Sequence, residues 1–112
     1  MNSLLRGMPD EGRMVSMSES YIDAVTTKIR SIEGNLKPDQ ALTLFAETAE
    51  GRVRVFSLQF TSSPVVFVLG LDDEDNETCL ISTSFALQMV CKITKADVGQ
   101  KRAPIGFDLP KS

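Results

Sequence analysis

Residues 41–93 read ALTLFAETAEGRVRVFSLQFTSSPVVFVLGLDDEDNETCLISTSFALQMVCKI, and the alternation of apolar runs with turn chemistry in this stretch decides the fold. The first two runs, 41–48 (ALTLFAET) and 52–60 (RVRVFSLQF), flank Glu50-Gly51. Two β-rich runs around a short glycine-containing turn predict a hairpin. Residues 41–48 also carry helix formers behind Pro38. The β-rich partner beyond the turn decides for a strand. Within the second run, Val53 and Val55 share one face while Phe56, Leu58 and Phe60 share the other. A strand whose apolar set changes face needs an extra residue to do it, so a bulge is expected at Val55-Phe56.

The third run, 65–71 (VVFVLGL), is apolar at every position except Gly70. That pattern predicts a strand buried on both faces, at the centre of the sheet. Phe67, Val65, Val68 and Leu69 are its expected core residues, joined by Ile81, Met89 and Ile93. An acidic turn follows at 72–76. Residues 77–82 (ETCLIS) return as a fourth strand.

Outward from this segment lie two helical readings. Ser16 and Glu19 have capping-box spacing. Behind them Tyr21, Ile22, Val25, Ile29 and Ile32 recur on one face, with Gly34 as terminator. On the C-terminal side, Ser82-Thr83-Ser84 supplies candidate N-caps for a helix over 85–98, ended by Gly99. Phe85, Ala86, Met89, Val90, Ile93 and Ala96 span one of its faces. Leu87, Cys91 and Val98 form a second apolar stripe.

The expected fold is therefore α+β, in the order α-β-β-β-β-α. A four-stranded antiparallel meander carries an N-terminal and a C-terminal helix on one face. Residues 1–15 read as a flexible arm, 16–99 as one domain, and 100–112 as a flexible tail within which Ile105 and Phe107 can dock. A chain of 112 residues supports a single modest core. Its 42% hydrophobic and 24% charged content is that of a folded globule.

The net charge is −3, which argues against a phosphate backbone as main partner. Charge is polarised along the chain. Five of the six residues 72–77 are acidic, whereas five basic residues stand against two acidic ones from Lys92 onward. The acidic turn does not make an EF-hand. Counted from Asp73, the glycine position holds Thr78 and the bidentate position Ser84. Counted from Asp72, they hold Glu77 and Thr83. Its plain reading is an acidic hairpin turn that also discourages edge pairing; weak cation binding is a second reading, and a docking loop, through Asp72, Asp73 and Asp75, for a basic partner is the third.

Histidine is absent, which closes the usual Ser–His and Cys–His routes to a nucleophile. Cys79 and Cys91 show no metal-ligand spacing. They are expected as reduced thiols in a cytoplasmic protein, since the N-terminus lacks the apolar core of a signal peptide. Cys91, placed on a helix beside Lys92 and Lys95, reads as a small packing residue, and the lysines would lower its thiol pKa only if it were exposed. Neither GxGxxG nor GxxxxGK[ST] occurs, and no run is long enough to span a membrane. No cofactor, metal or catalytic residue is expected.

What remains is a surplus of apolar surface. Two helices cover one face of a four-stranded sheet and leave the other to meet something. The sequence thus points to a non-catalytic protein-interaction or regulatory accessory module. Its partner is a second copy of itself, and another protein is the further candidate. Leu87, Cys91 and Val98, with Asp72, Asp73 and Asp75, are the expected contact residues. A small-molecule-binding regulator, with its pocket between sheet and last helix, is the alternative. An enzyme with an unfamiliar site is the third reading.

Overall fold

The computed structural model describes residues 10–97 and 103–110, with side chains from Glu19 onward in the first helix. The element order is α1 (Asp10–Gly34), β1 (Gln40–Thr48), β2 (Gly51–Phe60), β3 (Val65–Leu71), β4 (Glu77–Thr83), β5 (Gln88–Lys95) and β6 (Gly106–Asp108). The fold is α+β, with one N-terminal helix and a six-stranded sheet in the order β4-β3-β2-β1-β5, and β6 beside β2. All pairings are antiparallel except the short β2–β6 pair.

Helix α1 begins at Asp10, so Ser16 and Glu19 lie inside it and form no capping box. Residues 1–9 of the expected arm lie outside the described residues. At the far end, Asn35 donates its backbone N–H to the Ile32 carbonyl and its side-chain amide to that of Ser31. These bonds close the last turn.

The β1–β2 hairpin forms as its turn chemistry requires. Gly51 sits at φ 132°, in a region closed to side chains. Thr48 donates its hydroxyl to the Gly51 carbonyl at 2.6 Å. The bulge falls where the change of face demands it, with the β2–β3 register shifting between Val55 and Ser57. Gly70 lies opposite Val55, and a Cβ there would collide with the Arg54 carbonyl. The bulge therefore fixes glycine at the one non-apolar position of β3.

The expected C-terminal helix is not present. Residues 88–95 form β5, paired along its full length with β1 from Gln40↔Lys95 to Glu47↔Gln88. The Ser/Thr cluster does start a turn: the N–H groups of Ala86 and Leu87 both donate to the Thr83 carbonyl. One helical turn forms there and does not propagate. Beyond it the β-branched Val90, Ile93 and Thr94 favour a strand, and β1 offers an otherwise unpaired edge. The strand period regroups the residues of the two wheel stripes, with Met89, Cys91 and Ile93 on one face and Val90, Lys92 and Thr94 on the other.

A flat sheet cannot carry this topology. Strands β4 and β5 would stand four spacings apart, about 19 Å. They are joined by residues 84–87, which reach at most about 17 Å when fully extended. Thr83 and Gln88 also lie at opposite ends of the ladder, against Val65 and Glu47 respectively. The sheet is therefore strongly coiled, in the sense that strand twist favours. Its inner face wraps the core.

That core is Ile29, Leu44, Ala46, Val53, Val55, Leu58, Phe60, Val66, Val68 and Ile105. Helix α1 closes the open side, with Tyr21, Ile22 and Val25 packed against it. Tyr21 meets Phe60 edge-on at 6.3 Å, and burial raises its hydroxyl pKa. Of the expected core, Val68 is fully buried and Met89 packs on the core's margin. Val65, Phe67 and Leu69 are only half-buried, while Ile81 and Ile93 are exposed. Strand β3 is interior to the sheet but has one closed and one open face.

The C-terminal segment is more than a tail. Beyond Leu44↔Val55, β1 parts from β2 and follows β5 alone. Strand β6 fills the place it leaves, with Ser57↔Gly106 and Gln59↔Asp108 in register. Ile105 is buried and donates its N–H to Glu33 Oε2 at 2.9 Å. Arg30 stacks on the Phe107 ring at 4.3 Å. Residues 98–102 and 111–112 lie outside the described residues.

Candidate interaction surface

The outer face of the sheet is set out by its register. Rows run Arg54, Leu71, Glu77, then Ser57, Leu69, Cys79, then Gln59, Phe67, Ile81. On the other flank, Phe45 lies between Arg54 and Val90. This face carries apolar side chains on both flanks, and its two halves are treated differently.

Over β1, β2 and β5 the rings are roofed by cations. Arg52 stands over Phe45 at 4.9 Å and Lys92 over the same ring at 5.9 Å. Arg54 stands over Phe56 at 5.1 Å. Such contacts hold a charged head in water above an apolar surface. Arg52 also meets Glu47 at 3.5 Å, and Arg54 meets Asp75 at 3.9 Å. This half carries its own cations over its rings, although Phe56 stays 48% exposed.

Over β3 and β4 no cation–ring contact occurs among the described residues. Val65, Phe67 and Leu69 are half-buried, Cys79 is exposed, and Ile81 is 66% exposed. Phe85, in the turn after β4, is 85% exposed. Among the described residues the two most exposed large apolar side chains therefore lie in β4 and directly after it. Burying such side chains releases about 25 cal/mol per Å² of apolar area, and a single copy of the chain leaves that stabilisation unused.

The acidic turn between β3 and β4 is a built element. Asp72 Oδ1 accepts the N–H groups of Glu74 and Asn76, each at 2.9 Å. These bonds hold the Asp72 carboxyl below its ordinary pKa. Asp75 takes a left-handed conformation, φ 64°, which Asp tolerates better than most residues. Asp73 and Asp75 are exposed. Among the described residues no three Cys, Asp or Glu side chains gather to share a metal ion.

The expected contact residues scatter. Leu87 is half-buried and packs against the core. Cys91 lies on the edge strand β5, opposite Leu44 and so on the inner side of the ladder. Val98 lies outside the described residues. No helical stripe joins them. Cys91 does not have an activated thiol, because partial burial pushes its pKa up against the weaker opposing effect of Lys28. Lys92 sits on the other face of the strand. Cys79 and Cys91 are both free and exposed, and they face opposite sides of the sheet.

Two features escaped the sequence reading. One is the cationic roof over Phe45 and Phe56, whose signal was available in the alternation Arg52-Val53-Arg54. The other is a groove of about 450 Å³ where β1 leaves β2, lined by residues including Glu33, Leu36, Leu42, Arg54 and Ile105. It depends on the return of β6, which no local pattern announces. Among the described residues no helix is long and apolar enough to cross a membrane. No protein-family model, curated protein or solved structure matches this chain.

Proposed function

We propose that this chain is a non-catalytic protein-interaction module that works as a homodimer, with its contact surface on the β3–β4 side of the outer face. One observation carries this reading. Apolar residues on the β1–β2–β5 half of that face are roofed by Arg52, Arg54 and Lys92, while Ile81 and Phe85 stand exposed beside Phe67 and Leu69. Apolar clusters left open on an otherwise solvated protein mark contact sites. A second copy is the simplest partner, because closed two-fold assemblies dominate among small oligomers. The absence of histidine and of any motif for nucleophile, phosphate or metal supports a role without catalysis. The C-terminal helix that would have walled a ligand pocket is a strand, so the small-molecule reading has lost the element it relied on.

Light scattering on the full chain at tens of micromolar (roughly the range of an ordinary stable interface) tests this. The expected mass is that of a dimer. Ile81→Lys should shift it toward the monomer while changing folding stability by no more than about 0.5 kcal/mol, as for other exposed positions. A monomer from the unmodified chain overturns the reading.

A further inference from the structure

Among the described residues the two outermost strands of the sheet, β4 and β5, each have an unpaired side, and they differ. Strand β5 carries Lys92 and Lys95, the residue type that most often blunts an edge against pairing. Strand β4 reads Glu77-Thr78-Cys79-Leu80-Ile81-Ser82-Thr83, with no Lys, Pro or Gly. Among the described residues only β3 pairs with it.

Its backbone polarity follows from two bonds at the ends of the ladder. Asp72 donates its N–H to the Asn76 carbonyl, and Ser84 donates its N–H to the Pro64 carbonyl. In an antiparallel ladder hydrogen-bonded pairs alternate. With the register Val68↔Leu80, the peptide groups of Thr78, Leu80 and Ser82 point to β3. Those of Glu77, Cys79, Ile81 and Thr83 point outward. The Thr83 carbonyl is taken by the turn that follows. Cys79 and Ile81 each present both a donor and an acceptor to the open edge.

We infer that a second copy of this chain pairs with that edge, β4 against β4 and antiparallel, about a two-fold axis at Leu80. This rests on the homodimer reading above and moves its seam to the β4 edge of that face, where Cys79 and Ile81 of the two copies meet side by side. The axis at the strand's midpoint brings all seven residues into register, and every pair it makes is complementary. Leu80 meets the partner's Leu80. Cys79 meets the partner's Ile81, an apolar pair. Thr78 meets the partner's Ser82, a hydroxyl pair of the kind that bonds across strands. Glu77 meets the partner's Thr83, an acceptor against a donor. The outward parity of Cys79 and Ile81 then gives four backbone hydrogen bonds around the axis. Each outer face contributes Phe67 and Leu69 beside the seam, through Phe67↔Ile81 and Leu69↔Cys79. The apolar strip left open over β3 and β4 of one copy adjoins that of the other within a sheet of ten principal strands, and neither acidic turn meets the other.

Amide exchange on the full chain, read by NMR at high and low protein concentration, is the deciding measurement. The N–H groups of Thr78, Leu80 and Ser82 should be protected at both concentrations. Those of Cys79 and Ile81 should be protected only at the high one. Cys79→Pro removes an N–H that makes no bond within the chain, and by symmetry it deletes two bonds across the seam. At roughly tenfold each, the dissociation constant should rise about a hundredfold, while Cys79→Ala leaves it within a few-fold. If Cys79→Pro fails to fold, the exchange pattern of the native chain decides. A dimer in which Cys79 and Ile81 exchange freely at every concentration overturns the edge pairing and leaves the homodimer reading standing. A monomer at every concentration overturns both.

Discussion

Strand β3 presents Val66, Val68 and Gly70 to the inside of the coiled sheet and Val65, Phe67 and Leu69 to the outside. The first set is buried and the second only half-buried, although the second is the more apolar in sequence. The difference comes from what lies opposite. Inside, the curl of the sheet, α1 and Ile105 converge on one core. Outside, the described residues of one copy offer no further cover. Hydrophobicity alone therefore states which residues seek cover, and topology states which of them find it within a single copy.

The sharpest way to break this comparison is to truncate one residue on each side. Leu58 is fully buried on the inner face, and Leu58→Ala should cost about 2–5 kcal/mol through lost burial and the cavity left behind. Phe67→Ala would cost about 3–5 kcal/mol in a closed core. On the open face, the dilute chain should lose clearly less than with Leu58→Ala. Urea melts at low concentration measure both. Equal losses would mean the outer face is closed within one copy. A second test acts on the bulge that divides the two apolar sets of β2. Gly70→Ala forces a methyl group against the Arg54 carbonyl and should cost about 1–3 kcal/mol, as overpacking does. A melt unchanged by Gly70→Ala would remove the bulge as the reason for glycine there.

The smallest effect concerns the acidic turn, where inner and outer faces meet at the end of β3. Asp72 has its carboxyl pKa lowered by the N–H groups of Asn76 and Glu74. A group whose folded pKa is depressed stabilises the fold above its unfolded pKa, and that contribution is lost as pH falls through the folded value. Stability should therefore decline on the acid side of the ordinary Asp range, and Asp72→Asn should flatten that part of the profile. An NMR titration placing the Asp72 carboxyl at or above the ordinary Asp value would show that the turn is only solvated.

The hairpin, the bulge, the exact run of β3 and the acidic turn were legible because each is written locally. Gly51 permits its turn, and Val53-Arg54-Val55-Phe56 changes face within four residues. The C-terminal helix failed because residues 85–98 satisfy a helical wheel only by having two apolar stripes. A stripe on each side is also what a strand shows, and the vacant edge of β1, some forty residues earlier, decides between them. Strand β6 was hidden for the same reason: three residues of strand have no periodicity, and Glu33 and the gap beside Ser57 define their place. The contact residues assigned to that helix, Leu87 and Cys91, dispersed with it. Asp72, Asp73 and Asp75 were correctly placed on a turn, but the two backbone bonds to Asp72 were not foreseen.

The coil of the sheet has a kinetic consequence. Strands β1 to β4 are joined by short turns, and their contacts close small loops. The β1–β5 ladder joins residues 41 to 55 positions apart, from Glu47↔Gln88 to Gln40↔Lys95. Loop-closure entropy makes such pairings late, and topology rich in them slows folding. The meander can assemble first, with β5 arriving last and leaving first. Until β5 arrives, both edges of the meander stand open, so the refolding chain passes through a stage at which a copy can be captured on the wrong edge. The lysines of β5 guard only the finished sheet.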